Sequence, residues 1–372
     1  MILGVNGLRL LGKRSGVGRC IEALLHEIPR LDHPFREIRL YTPAPIPDCF
    51  PPLVRAIVLP SSAPSAWWEQ HTLRRAHGRR DPLLCPSYVV PLLATCPTLV
   101  IHHGSYEGYP QAHGWWVRNK ARAIYSASAW RATMVSTVSE HSKRDIVRFY
   151  RIPASKISVV PDGVDVALFR PIDSAEQLGS WRRRVLGADV PLLLYVGKAS
   201  TRRSLPELLE AFSRLKRERR IPHKLALIGT DMPGIDLRPF VERLGLRTEV
   251  VLVGHSTQEE LALAYNAADI FIYASSYEGF GMPVLEAMSC GTPVLALDKT
   301  AIPEFAGGVA SLLPDGRPET LRRGIEDLLD DPARRALMRR LGPERAAHYT
   351  WTIVASRYLD LLRQLATHAG SA

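Results

Sequence analysis

The chain has 372 residues, 46% of them hydrophobic and 23% charged, which suits two domains with full cores and excludes a disordered chain. No apolar run approaches the ~20 residues of a transmembrane helix, and Met1-Ile2-Leu3-Gly4-Val5-Asn6 has no basic stretch ahead of its apolar residues, so neither a membrane span nor a secretory signal is expected. The formal net charge is +11, and it is lopsided: residues 1–170 hold 22 Lys+Arg against 12 Asp+Glu, a difference of +10, while residues 171–372 hold 26 against 25, a difference of +1. An anionic partner is therefore expected for the first half, whether nucleic acid, anionic lipid or a phosphate-bearing acceptor. Five cysteines without a CxxC or Cys/His cluster predict reduced thiols, a cytoplasmic setting and no metal site.

Residues 2 to 5 read as a first strand, followed by the glycine-rich loop Leu11 to Arg19 and a helix in which Ile21, Leu24, Leu25 and Ile28 share a face. Gly16 and Gly18 in that loop admit two readings, a tight turn beside solvated Lys13, Arg14 and Arg19, or a ligand contact. Strand candidates recur at Glu37 to Tyr41, Arg55 to Leu59, Pro82 to Cys85 and Pro97 to Ile101, the repetition of a parallel, helix-covered sheet. His102 and His103 follow the last of these, at the strand end where such sheets bind ligands. Trp67-Trp68 and Trp115-Trp116, the latter followed by Arg118, Lys120 and Arg122, fit either core aromatics beside solvated cations or a surface for anionic headgroups. A strand, a serine N-cap at Ser139 to Ser142 and a helix come next, then a strand from Lys156 that closes in Pro161-Asp162-Gly163-Val164-Asp165. Phe169 to Ser180 is the expected linker.

The second half opens with the strand Val190 to Gly197, then Lys198 and Arg203 and an amphipathic helix from Leu205 to Lys216. Two cations at a strand end suit a pyrophosphate. Lys224 to Gly229 and Val250 to Gly254, with His255, are further strands ending in glycine, and Glu259 to Ala268 is a helix. Asp269 to Tyr273 is a β-branched and aromatic strand that leads into the stretch Ser275-Ser276-Tyr277-Glu278-Gly279-Phe280-Gly281-Met282-Pro283-Val284-Leu285-Glu286. Pro283 suits the first turn of a helix, and Gly291-Thr292-Pro293 stops it. The backbone N–H groups from Phe280 to Val284 are then expected at the positive end of a helix dipole, an anion site bracketed by the carboxylates of Glu278 and Glu286. A nucleotide sugar reconciles these, because its hydroxyls donate to carboxylates while its diphosphate accepts from N–H groups.

With that Glu-x7-Glu stretch, Val138-Ser139-Glu140-His141-Ser142 and the Pro161 to Asp165 turn, the chain resembles the family four retaining glycosyltransferases of the GT-B fold. The resemblance implies an α/β protein with two Rossmann-like domains and a cleft between them: residues 1–170 as the acceptor-binding domain, 171–348 as the nucleotide-sugar domain, and 349–372 as a helix crossing back to the first. It implies that Glu286 accepts from the ribose, that Glu278 and His102 contact the donor sugar, and that Phe280, Gly281, Met282 and Pro283 line sugar and phosphate. Lys198 and Arg203 would hold the diphosphate, Gly254 and His255 would lie along the base, and Gly16 and Gly18 beneath the ligand. Three positions depart from the pattern: His103 stands where an Asp is common, Asp162 where an Asn is usual, and Lys198 and Arg203 reverse the usual order.

The expected activity is transfer of a hexose, with mannose favoured, from GDP-mannose or a UDP-hexose to a glycan or lipid-linked acceptor. It is expected to proceed without metal, since the chain has no Asp-x-Asp pair. No cofactor is expected beyond that donor co-substrate. The protein is expected in the cytoplasm, with anionic membrane as a peripheral partner of the basic half and with no nucleic acid bound. The rival readings are a sugar-phosphate synthase or phosphorylase on the same fold, and a basic nucleic-acid-binding protein.

Overall fold

The computed structural model describes residues 1–12, 16–47, 49–109, 114–231 and 234–369, so Lys13 and Arg14 lie outside the described residues. The chain forms two compact units, Met1–Gly163 with Trp351–Ala372, and Val164–Thr350.

The first unit is built on a seven-stranded sheet of β1 (Ile2–Asn6), β2 (Glu37–Thr42), β3 (Val54–Val58), β4 (Leu83–Cys85), β5 (Thr98–His102), β6 (Met134–Thr137) and β7 (Ile157–Val159). Their order is β3-β2-β1-β4-β5-β6-β7, with every pairing parallel. β1 and β5 are buried at every residue, which accounts for their unbroken apolar runs: helices cover both faces of a parallel sheet. The Gly16–Glu27 helix buries Cys20, Ile21, Leu24 and Leu25. The Trp351–Ala369 helix adds Val354, Tyr358, Leu362 and Leu365 to the same core as Leu3, Val5, Leu24 and Leu40. The Glu140–Tyr150 helix is capped by Ser139, whose Oγ accepts from the Ser142 N–H at 3.0 Å.

The tryptophans split between the two readings. Trp68 is wholly buried, its indole N–H donating to Leu59 O at 2.9 Å, whereas Trp67, Trp115 and Trp116 are exposed.

The second unit holds β8 (Leu192–Val196), β9 (Lys224–Ile228), β10 (Val250–Val253), β11 (Ile270–Tyr273), β12 (Val294–Leu297) and β13 (Ser311–Leu313). Their order is β10-β9-β8-β11-β12-β13, again all parallel. Numbered within its own unit, the first sheet runs 3-2-1-4-5-6-7 and the second 3-2-1-4-5-6, so each has a switch point where strand order reverses: β1 beside β4, and β8 beside β11. Crevices for ligands form there, beyond the carboxyl ends of the two strands. The expected linker is shorter than its composition implies: Ala175–Leu186 is a helix, with Ser174 Oγ accepting from the Gln177 N–H at 3.2 Å. Among the described residues no helix is long and apolar enough to cross a membrane.

Candidate functional site

The loops after β8 and β11 carry the candidate site. β11 ends in Tyr273, and residues 274–281 lead to the Met282–Ser289 helix, which has Pro283 in its first turn. Gly281 precedes that helix at φ +115°, and a Cβ there would stand 2.4 Å from Ile302 Cδ1, so both backbone and space demand glycine. The sequence points to N–H groups from Phe280 to Val284, but the Val284 N–H donates to Gly281 O at 2.9 Å and Pro283 has none. The amides able to serve a ligand are therefore those of Phe280, Gly281 and Met282. The Phe280 ring is anchored by stacking on Phe305, centroids 4.6 Å apart.

Glu278 is buried, and its polar contacts converge on one oxygen. Oε1 accepts from the Tyr273 hydroxyl at 2.8 Å, from Ser275 Oγ at 2.9 Å and from Arg202 Nη1, with Arg203 Nη2 at 3.4 Å. Oε2 stands outside this set. Burial pushes the carboxyl up, but the Arg203 and Arg202 guanidiniums, with the hydrogen bonds from Tyr273 and Ser275, more than reverse this and hold it below the usual range. Burial also pushes the Tyr273 phenol well up, so it keeps the proton it donates. Arg202 further donates to Ser275 Oγ at 3.2 Å and to Tyr277 O at 2.5 Å, tying the loop after β8 to the loop after β11.

Arg203 Nη1 donates to Lys198 O at 3.1 Å and to the Tyr195 hydroxyl at 3.3 Å, and its Nε is buried without a hydrogen-bond partner. Gly197, at φ +137°, makes room for it: a Cβ there would lie 2.3 Å from Arg203 Nη1. The Lys198 residue itself is exposed. Glu286, inside the Met282–Ser289 helix and 1% exposed, accepts at Oε2 from the Tyr265 hydroxyl at 3.0 Å. Gly254 follows β10 and lines a pocket of about 390 Å³ with Thr230, Asp231, Ile235 and Leu252, whereas His255 is exposed and outside that lining. Lys198, Arg203, Glu278, Phe280, Gly281, Met282 and Pro283 thus come together at the β8/β11 switch point. Arg202, Tyr265 and Tyr273 are partners the sequence reading misses, and the adjacent arginines Arg202-Arg203 are the one signal pointing to them.

In the first unit, Gly16 opens the Gly16–Glu27 helix and is exposed, while Gly18 is buried in its first turn. His102 is fully buried, with its ring 5.3 Å from that of Tyr88, 5.6 Å from Tyr150 and 6.2 Å from Tyr125. Neither ring nitrogen has a hydrogen-bond partner. Burial, then the neighbouring His103, pushes its pKa down to about 3, so the ring is neutral at neutral pH. His103 lies nearer the surface of the unit, with Nε2 2.9 Å from Pro86 O and Nδ1 3.9 Å from Asp162 Oδ1.

Two doubly wound units, the second with a glycine-bounded helix N-terminus flanked by buried carboxylates at its switch point, define an α/β protein of the GT-B class. The first unit matches the model of Glycosyltransferase Family 4 over residues 14–168, and the second matches Glycosyl transferases group 1 over residues 182–345. The chain belongs to this family, the group 1 glycosyltransferases of family four. It is 32% identical over 235 residues to O-antigen chain mannosyltransferase B of Escherichia coli, covering 63% of this chain and 61% of that one. It is 31% identical over 245 residues to a D-inositol 3-phosphate glycosyltransferase of Kineococcus radiotolerans, covering 61% and 56%. To an MMP alpha-(1->4)-mannosyltransferase of Mycolicibacterium hassiacum it is 30% identical over 286 residues, covering 72% and 64%. The matches thus span between about half and two thirds of these relatives' lengths. Among solved structures, a sucrose-phosphate synthase from Thermosynechococcus elongatus superposes with a TM-score of 0.80 at 20% identity, covering 98% and 99% of the two chains. Anabaena HepE in complex with UDP-glucose gives 0.80 at 18% identity, covering 98% and 100%. These likenesses show the fold.

Proposed function

We propose that the chain is a retaining glycosyltransferase that moves a hexosyl group from a nucleotide diphosphate sugar to a hydroxyl of a glycan or lipid-linked acceptor. The observation that carries this reading is the pair of buried carboxylates, Glu278 and Glu286, set before and within the helix whose leading amides are those of Phe280 to Met282. Carboxylates accept from the sugar and ribose hydroxyls, and the amides donate to the phosphates. In the transfer, the bond from sugar C1 to the diphosphate oxygen breaks and the acceptor oxygen bonds to C1 on the same face. The acceptor proton passes to a phosphate oxygen of the leaving diphosphate. The charge that grows on that diphosphate is met by Lys198, Arg203 and the amides, without a metal ion. Mannose from GDP-mannose is the favoured donor group, because two of the relatives above are named mannosyltransferases, with UDP-hexoses next.

The test is a panel of nucleotide sugars, read by thermal shift and by sugar transfer in the presence and absence of a chelator. A donor that raises the melting temperature of the wild type but not of E286A is expected, with transfer surviving chelation. If no nucleotide sugar binds, the reading fails. Turnover only with inorganic phosphate would point instead to a phosphorylase.

The acceptor belongs to the basic first unit, and the partner we assign to that unit is an anionic lipid bilayer. On the Trp115–Arg131 helix, Trp116, Lys120, Ile124, Ala127 and Trp130–Arg131 recur three or four residues apart and all are exposed, an apolar stripe edged by cations. Trp115 and Val117 extend it at the helix start. Aromatic rings sit at the level of lipid headgroups while the cations meet their negative charge.

A further inference from the structure

Arg202 is held at its main chain and at its guanidinium by the loop that follows β11. Its carbonyl oxygen accepts from the Ser276 N–H at 2.7 Å and from Ser276 Oγ at 3.1 Å. Its Nη1 donates to Ser275 Oγ, to Tyr277 O and to Glu278 Oε1. The main chain of Glu278 has a separate anchor, since its N–H donates to Thr300 Oγ1 at 3.0 Å. Loss of the Arg202 side chain therefore leaves the loop tied through the Arg202 carbonyl and Thr300, and releases chiefly the carboxylate.

Arg203, the next residue, meets the same carboxylate differently. Its Nη2 stands 3.4 Å from Glu278 Oε1, an ion-pair distance longer than the about 2.7–2.9 Å of a charge-assisted hydrogen bond. Nη1 is spent on Lys198 O and the Tyr195 hydroxyl, and Nε is buried without a partner. Nε and Nη2 form one edge of the guanidinium, a fork that matches two oxygens of a phosphate, and this is the edge left unspent. Both arginines act on the carboxyl, and Arg203, the more deeply buried, does so the more strongly. A Glu278 deprived of Arg202 would draw Arg203 Nη2 inward and close that edge.

We propose that Arg202 is a positioning residue for the donor diphosphate: it compensates the Glu278 carboxylate and so leaves the Nε–Nη2 edge of Arg203 open to a phosphate. The proposal rests on the diphosphate role given to Arg203 above. With Arg202 in place, the two arginines and the one carboxylate sum to a single positive charge facing the diphosphate. Without it, the remaining pair sums to zero, and a buried carboxylate competes with the ligand for its cation.

The experiment is calorimetric titration of GDP and of UDP into the wild type, R202M, R202K, E278Q and R202M/E278Q, with thermal melting of each. Both nucleotides lack the sugar, so they report on the diphosphate end of the site. For whichever binds more tightly, R202M is expected to bind at least about tenfold more weakly than wild type, whereas adding R202M to E278Q is expected to change affinity by less than about threefold. R202K keeps the charge and is expected within about fivefold of wild type. R202M is expected to melt below wild type and R202M/E278Q above R202M; an R202M that does not fold beside an R202M/E278Q that does shows the uncompensated carboxylate directly. A loss as large in the E278Q background as in the wild type overturns the proposal. So do unchanged binding in R202M, an R202K as weak as R202M, and a double variant that fails to fold. A wild type that binds neither nucleotide fails the diphosphate reading itself and takes this proposal with it, whereas a wild type that binds while the series shows no coupling fails this proposal alone.

Discussion

Tyr265 and Glu286 are joined by a buried hydrogen bond in which the tyrosine hydroxyl donates to Glu286 Oε2 at 3.0 Å. The bond occupies one carboxylate oxygen and helps fix the rotamer of the side chain. E286A is expected to weaken binding of a nucleoside diphosphate at least tenfold, since a hydrogen bond to a charged group is worth roughly 1.5–3 kcal/mol. Y265F, which removes only the anchor, is expected to weaken it about two- to fivefold. Calorimetric titration measures both, and wild-type affinity in E286A rules out a ribose-binding role.

Gly281 tests the geometry of the loop rather than its charge. G281A meets two obstacles, the φ of +115° and the 2.4 Å approach to Ile302 Cδ1. Holding a non-glycine residue in such a conformation costs about 1–3 kcal/mol, and any shift that relieves it moves the Gly281 amide, which we propose meets the phosphate. Both a lower melting temperature and weaker donor binding are expected. A variant that melts lower but binds donor as the wild type does would remove the Gly281 amide from the site.

Glu69 supplies a pH test in the first unit. It is 6% exposed and accepts from Asn6 Nδ2 at 2.8 Å. Burial pushes its carboxyl from the ordinary 4.5 up to about 7, against the Asn6 hydrogen bond and the Arg9 charge. The folded state therefore holds this proton more tightly than the unfolded one. Its contribution is complete below about pH 4.5 and is lost as pH rises through about 7. That window corresponds to roughly 3 kcal/mol. In E69Q the amide keeps the bond to Asn6 and cannot ionise, so the melting-temperature advantage of E69Q over wild type is expected to grow between pH 5 and pH 8. A constant difference across that range refutes the assignment.

For the Trp115–Arg131 helix, W116A and K120E are expected to leave melting unchanged, because both side chains are exposed. Cosedimentation with vesicles of anionic and zwitterionic lipid reads the effect. The wild type is expected to bind the anionic vesicles, more weakly as salt rises, and both variants at least tenfold less. Equal binding of wild type and variants removes this face as the lipid contact.

Much of the fold is legible in local pattern, and much of the site is not. Ile270–Tyr273 is apolar at every position and closes on a loop, so its chemistry alone predicts a buried strand. Ser311–Leu313 is too short to show any pattern and enters the sheet only through its pairing with β12. The Ala175–Leu186 helix begins inside the stretch Phe169 to Ser180 that reads as linker, although Ser174 followed by Glu176 is a usable start signal. The two glutamates stand out because the loop and helix around them carry their own punctuation. The donors that hold Glu278 do not: Arg202 is 76 residues away in sequence, and only the adjacency of β8 and β11 brings it there. A tryptophan pair reads alike whether buried or exposed, since its place depends on the neighbours that tertiary structure supplies. Trp68 at 0% and Trp116 at 79% are the outcome.

The Trp351–Ala369 helix has a consequence for how the molecule is made. Its Val354, Tyr358, Leu362 and Leu365 belong to the core of the unit that begins at Met1, yet they follow the whole of the second unit in the chain. On the ribosome, the amino-terminal sheet is therefore synthesised first but waits with part of its apolar face uncovered. The second unit, contiguous from Val164 to Thr350, can close as soon as it emerges. The half translated first is the half that matures last, and a ribosome that stops before Trp351 releases a chain with one finished domain and one open core.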